Sequence, residues 1–167
     1  VIEARDAGRV LAPRDAGGHK GTYGHVLIVG GAAGKSAAAA MAGLAALRAG
    51  AGLVPVACEG APAMAPELMT APLDEPPVEG KTVLAVGPGL GTEPGAAALL
   101  GKLLSLETPC VLDADALNLV AAGGVAEGLE VRGCILTPHP GEMGRLAGLS
   151  AGEVQENRLA VARGFAQ

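Results

Sequence analysis

Aromatic side chains are almost missing from this chain. There is no Trp, and Tyr23 and Phe165 are the only Tyr and Phe in 167 residues. A core without rings must be built from Ala, Val, Leu and Ile, which the half-apolar composition supplies. Basic residues are few, 12 Lys and Arg against 17 acidic residues, and they form no cluster. A net charge of −5 without a basic patch excludes nucleic acid as the main partner. No apolar run reaches the roughly 18 residues of a membrane span, and the first ten residues, VIEARDAGRV, are too charged for a signal peptide. Cysteine is scarce, odd in number and scattered: Cys58, Cys110 and Cys134 each stand in an apolar, strand-like run. Buried reduced thiols of a cytoplasmic protein are expected from that pattern, rather than disulfides or a metal site.

Glycine is what the chain has in quantity, 27 residues, followed by 12 prolines. The most conspicuous glycine cluster is VGGAAGKSAAAA, residues 29–40, after the apolar run His25–Val29. It imitates a P-loop, whose pattern is G-x-x-x-x-G-K-[ST]. Counting back from Gly34, the first glycine should stand at position 29, where the chain has Val29. Loop length is part of phosphate cradling, so the match fails. A glycine-rich turn between a strand and a helix is left, either a ligand-binding turn or one that only packs helix on sheet.

At this length the chain can bury one sizeable core, and it shows a repeating strand–helix rhythm. Residues 1–24 are polar and punctuated by glycine and proline, a leader or interdomain linker. Strands are expected at 25–29, 53–58, 82–86, 109–112 and 134–137. Pro55 suggests an edge or irregular position for the second of these. Helices are expected from Ser36 to Ala49 with Gly50 closing the end, from Pro94 to Leu106, from about Asp115, and from Ser150 with Glu153 completing a capping box. The proline-rich stretch 60–80 reads as a loop with one helical turn. Continuously apolar strands separated by helices indicate a three-layer α/β fold, a mostly parallel sheet with helices on both faces.

In such sheets ligands bind beyond the carboxyl ends of the strands. Four of these ends carry unusual residues: Gly30-Gly31, GPGLG (87–91), DADALN (113–118) and TPHPGE (137–142). Taken singly, each has a plain structural reading. GPGLG lacks the third glycine of a dinucleotide fingerprint, since Thr92 stands there, yet offers bare backbone N–H groups. Asp113 and Asp115 suit a hydrated Mg²⁺, or Asp115 serves to cap the following helix, which is the favoured reading for it. Asp113 is kept as a metal or phosphate-network residue. His139, between Pro138 and Pro140, is expected in a rigid extended loop. Glu142 either faces the same pocket or favours a helix N-terminus.

Together, HKGTYGHVLIVGG, GLAALRAGAGLV, GPGLG, LDADALN and LTPHPGE, in this order from His19 to Gly148, resemble the ADP/ATP-dependent NAD(P)H-hydrate dehydratases of the ribokinase-like superfamily. The resemblance implies ADP- or ATP-dependent conversion of hydrated NADH or NADPH back to the intact coenzyme. The hydrate is phosphorylated with Mg²⁺ present and phosphate is then eliminated. Ala38, Gly89 and His139 correspond to substrate-binding positions; Asp113 and Glu142 correspond to places where related kinases organise metal and phosphate. The GTGD-type segment that carries the family's catalytic aspartate has no counterpart in residues 1–167, so that aspartate is expected beyond Gln167. Residues 25–167 are therefore expected to be the N-terminal part of the domain, inactive alone. The resemblance also implies a cytoplasmic homo-oligomer, with an NAD(P)H-hydrate epimerase fused to it or working beside it. Two alternatives remain: a superfamily kinase acting on a hydroxymethyl vitamin precursor, and a non-catalytic nucleotide-binding module.

Overall fold

A computed structural model describes residues 13–60, 65–123 and 133–167, with positions 3, 4, 6 and 8. Most of residues 1–12 in the expected leader lie outside the described residues.

The chain runs β1 (Val26–Val29), α1 (Ser36–Ala49), β2 (Pro55–Ala57), β3 (Met69–Ala71), β4 (Val83–Val86), α2 (Pro94–Leu104), β5 (Cys110–Leu112) and α3 (Asp115–Ala121). It continues through β6 (Ile135–Leu136), α4 (Pro140–Ala147), α5 (Ala151–Glu156) and α6 (Arg158–Phe165). The six strands form one sheet in the order β3-β2-β1-β4-β5-β6, and every neighbouring pair is parallel. Strand order reverses at β1, which has β2 on one side and β4 on the other. The crevice beyond this pair is where doubly wound sheets take their ligands.

The three layers follow from the period-two geometry of a strand. Ile28 and Val56 face a cluster containing Ala39, with Ala42, Leu44 and Leu47 of α1 packed against it. Their neighbours Leu27, Val29 and Ala57 face the opposite cluster, with Leu84, Val86, Leu100 and Leu103 of α2 and Ala116 and Leu117 of α3. Both faces are dry, so the strands are apolar throughout rather than alternating. Among the described residues the buried apolar set contains no aromatic ring, only aliphatic side chains, Cys and Met. On α1, Gly43 lets helix and sheet close up: a Cβ there would lie 2.9 Å from Leu68 Cδ2 and Val56 Cγ2.

Three expectations need correction. Pro55 does not mark an edge, because β2 lies between β1 and β3. It is the first residue of its strand, where a missing N–H is tolerated. Within 60–80 the structure has a strand, β3, whose exposed edge position and flanking prolines hide it from hydrophobic patterning. His139 keeps extended backbone (φ −73°, ψ 167°) in the short stretch between β6 and α4, as expected, and that stretch runs directly into a helix. Pro140 is the first residue of α4 and His139 is its N-cap. Lastly, Asp115 does not cap α3; Ala114 occupies that place and Asp115 begins the helix. Where the leader is described it is packed on the domain. Tyr23 donates its hydroxyl to the Asp15 carbonyl (2.9 Å), and Arg14 stacks 4.3 Å over the Tyr23 ring. Gly52 N–H donates to the Tyr23 carbonyl at 3.1 Å.

Candidate functional site

The site is built where the β1 and β4 ends meet. Val29 leads into Gly30 and Gly31, and Val86 leads into GPGLG. The two turns are stitched together through the backbone: Gly31 N–H donates to the Pro88 carbonyl (2.9 Å), Ala32 N–H to Gly89 (2.7 Å), and Gly87 N–H to Val29 (2.9 Å). Contact this close requires glycine. A Cβ on Gly30 would lie 2.3 Å from the Pro88 carbonyl oxygen. On Gly87, whose φ is +125°, it would lie 1.8 Å from the Asp113 carbonyl oxygen. The outer limb of the first turn is held by Glu59, whose Oε2 accepts from Ala33 N–H at 2.9 Å.

Ala38 and Gly89 are brought together. Gly89 (φ +65°) sits over the first turn of α1, and a Cβ on it would lie 2.9 Å from Lys35 and 3.6 Å from the Ala38 methyl. Ala38 is half-buried, with Gly34, Lys35, Ala37 and Met41 exposed around it. The result is a surface of bare backbone and the Ala38 methyl, bordered by the Lys35 and Met41 side chains.

Asp113 and Asp115 are turned apart. Between them Ala114 takes φ +50° and ψ −118°, the only non-glycine with positive φ among the described residues. Such a backbone costs on the order of 1–3 kcal/mol and persists only where its surroundings hold it. The twist sends Asp113 toward β6, where its Oδ1 accepts from the Thr137 hydroxyl (2.9 Å). Asp115 goes toward β1 and β4, where its Oδ2 accepts from Gly91 N–H (2.9 Å) and lies 3.8 Å from Lys35 Nζ. The Lys35 side chain is half exposed, so the pair's value is in positioning rather than in energy. Lys35, Glu59 and Thr137 were not among the residues expected to act here. Their partners are at least 24 positions away in sequence, and no local pattern marks them.

His139 and Glu142 form a capping box at the head of α4. The imidazole Nδ1 accepts from Gly141 N–H (3.0 Å) and Glu142 N–H (3.4 Å), while Glu142 Oε2 accepts from His139 N–H (2.8 Å). Glu142 is buried, and its Oε1 lies 3.2 Å from Nε2 of His139, whose side chain is largely exposed. Arg145, one turn on, donates to Asn118 of α3 at 2.9 Å. With the two aspartates diverging and Glu142 spent on its helix, no group of three His, Cys, Asp or Glu is gathered for a cation among the described residues. These side chains alone do not fit an Mg²⁺ site.

A cavity of about 770 Å³ opens beside the glycine turns, under α2 and over the β2 and β3 ends, lined among others by Ala32, Lys35, Glu59, Leu90 and Leu99. Its size is that of a small-molecule pocket. Cys58 also lines it, but burial pushes that thiol above its ordinary pKa, so it is not a thiolate nucleophile at neutral pH. Ala38, Gly89, His139, Asp113 and Glu142 do not line this cavity. Gln167, beyond which the catalytic aspartate is expected, is exposed just after α6 and is not among the lining residues either.

A six-stranded, all-parallel sheet with helices is consistent with the ribokinase-like α/β fold. The structure superposes on the ADP/ATP-dependent NAD(P)H-hydrate dehydratase of Bacillus subtilis co-crystallised with ATP/Mg²⁺, with TM-score 0.79 at 30% identity, covering 97% of this chain and 61% of that one. A ribokinase-like superfamily protein of Enterococcus faecalis superposes with TM-score 0.75 at 24% identity, covering 92% and 57%. Residues 26–167 match the family model described as NAD(P)H-hydrate dehydratase, and the chain belongs to that family. It is 44% identical to the bifunctional NAD(P)H-hydrate repair enzyme of Coxiella burnetii over 95% of its length and 34% of that protein. It is 38% identical to the ADP-dependent (S)-NAD(P)H-hydrate dehydratase of Neisseria meningitidis, over 92% of this chain and 56% of that one. The chain thus spans about a third of the bifunctional relatives and little more than half of the monofunctional one.

Proposed function

We propose that these residues form the substrate-side part of an enzyme that repairs hydrated NADH and NADPH. A phosphoryl group passes from ADP or ATP to the hydrate's hydroxyl, and phosphate then leaves with formation of the ring double bond. The chemistry is economical because hydroxide is a poor leaving group and phosphate a good one. The observation that carries the reading is the pairing of Ala38 with the bare Cα of Gly89 at the β1/β4 crevice, inside the family match. A planar ring laid there meets the Ala38 methyl, the Gly89 backbone and the Lys35 stem. His139 reaches the same end of the sheet from α4, its position set by the capping box, and Asp113 is held by Thr137. No residue in 1–167 is assigned as the catalytic base; that role, and the nucleotide site, we place beyond Gln167. Any Mg²⁺ would accompany the nucleotide's phosphates, where it would offset their charge. Its setting in this reading is the cytoplasm, as a homo-oligomer, with an epimerase fused to it or beside it. No helix among the described residues is long and apolar enough to cross a membrane.

The test is turnover by the full-length protein of hydrated NADPH, followed by recovery of NADPH absorbance, with ADP, with ATP and with neither. Recovery that requires a nucleotide is expected, with residues 1–167 alone inactive. Phosphorylation of a hydroxymethyl vitamin precursor without NADPH recovery would overturn the reading.

A further inference from the structure

Away from the crevice, near the start of β5 and β6, two cysteines lie side by side. The strands pair in register as Val111 with Ile135 and Leu112 with Leu136, so Cys110 and Cys134 stand opposite each other one step earlier. Their sulfurs are 2.7 Å apart, longer than the about 2.0 Å of an S–S bond, and both thiols are free. Both line a cavity of about 230 Å³ together with Leu103, Leu106 and Gly133. Cys110 is buried and Cys134 partly exposed. Cys58 lies across the sheet in the other core cluster.

We propose that Cys110 and Cys134 are a redox-active dithiol, which a hydroperoxide closes to a reversible disulfide bridging β5 and β6. The cavity admits a small oxidant to Cys134, the more accessible sulfur. Its thiolate attacks a peroxide oxygen: an S–O bond forms, the O–O bond breaks, and the hydroperoxide is reduced to water or an alcohol. Cys110 then attacks the sulfur of the Cys134 sulfenic acid. The S–S bond forms, the S–O bond breaks, and hydroxide leaves with the thiol proton as water. Two thiols are oxidised and one hydroperoxide reduced. Burial and the neighbouring sulfur push the Cys110 thiol up to about 12, so it is not the thiol that meets oxidant first. It resolves the sulfenic acid because it is already in contact. The bridge would sit three residues before Asp113 on one strand and three before Thr137 on the other, tying together the strands whose ends carry that hydrogen bond.

The experiment treats full-length, folded protein with hydrogen peroxide, alkylates the remaining thiols, and maps peptides by mass spectrometry before and after dithiothreitol. A Cys110–Cys134 cross-linked peptide, lighter by two hydrogens and released by dithiothreitol, is the expected product, with Cys58 still alkylated. Closing a loop of 24 positions should raise the melting temperature by about 5–10 °C, and Cys134→Ser should abolish both cross-link and shift. Because Cys134 is partly exposed, that variant retains the packing of Cys110. Peroxide treatment that leaves both thiols alkylatable, or carries Cys134 to sulfinic acid without cross-linking, would overturn the proposal. So would a cross-link that forms only after the protein has been unfolded.

Discussion

Replacing Gly87 with Ala is the sharpest test of how the crevice is built. The added Cβ would stand 1.8 Å from the Asp113 carbonyl oxygen and 2.8 Å from the Ala116 methyl, at a φ of +125°. The first overlap is with backbone, which cannot rotate away as a side chain does. Relief requires β4 and β5 to part by more than an ångström at their carboxyl ends. That motion breaks the Asp113 N–H bond to the Val86 carbonyl, now 3.0 Å. Backbone strain of about 1–3 kcal/mol, overpacking of similar size and a lost hydrogen bond of about 1 kcal/mol together suggest about 3–7 kcal/mol. That is a large part of the roughly 5–15 kcal/mol that holds a domain. Gly95→Ala is the control, being exposed on α2 with nothing within 4 Å of its Cβ position. It should gain about 0.5–1 kcal/mol from helix propensity and a less disordered unfolded chain. Urea unfolding of the full-length protein reads both variants, and turnover of hydrated NADPH should fall with Gly87→Ala. If Gly87→Ala unfolds within about 1 kcal/mol of the parent, the close approach of these two strand ends is not a constraint and the reasoning fails.

Other outcomes are expected from the same structure. Ala38→Leu, on the half-buried face beside Gly89, should weaken binding of the hydrated dinucleotide at least about tenfold while shifting stability by less than about 1 kcal/mol; calorimetry and a melt on the same sample check it, and equal losses in both would make Ala38 ordinary packing. Ala114→Gly should relieve the positive φ and leave stability unchanged or raised by up to about 1 kcal/mol, the strain relieved being partly offset by glycine's larger unfolded-state entropy; a clear loss in the melt would contradict this. His25 is held below its ordinary pKa by burial and by nearby Lys81, with its Nε2 unpartnered. Its charged form is disfavoured in the folded state, so the unfolded chain takes up protons first. Stability should fall as pH drops below about 6.5 and be flat with respect to this group above it; His25→Leu should remove that part of the slope in melts across the range.

The layer architecture was legible in the order of residues because it depends on local periodicities. Val26 to Val29 can be apolar throughout only if both faces of the strand are covered, and Ser36 to Ala49 ends at Gly50 because the left-handed C-cap there has φ +112°. The clustering of Gly30-Gly31, GPGLG, DADALN and TPHPGE on one edge followed from parallel topology alone. Side-chain roles did not follow. Asp115 looked like a cap because the residue before a helix usually is one; only the turn at Ala114 moves it inward and aims it at Gly91, 24 residues away. For Glu142 the sequence leaves a pocket and a helix N-terminus both open; the fold selects the second, and His139 and Glu142 hydrogen-bond to each other's backbone because Pro140 begins a helix. Cys110 and Cys134, distant in sequence, touch because β5 and β6 are neighbours in register. Periodicity is written along the chain and can be read there. Contacts between strand ends are set by which strands pair and in what register, which only the folded sheet decides.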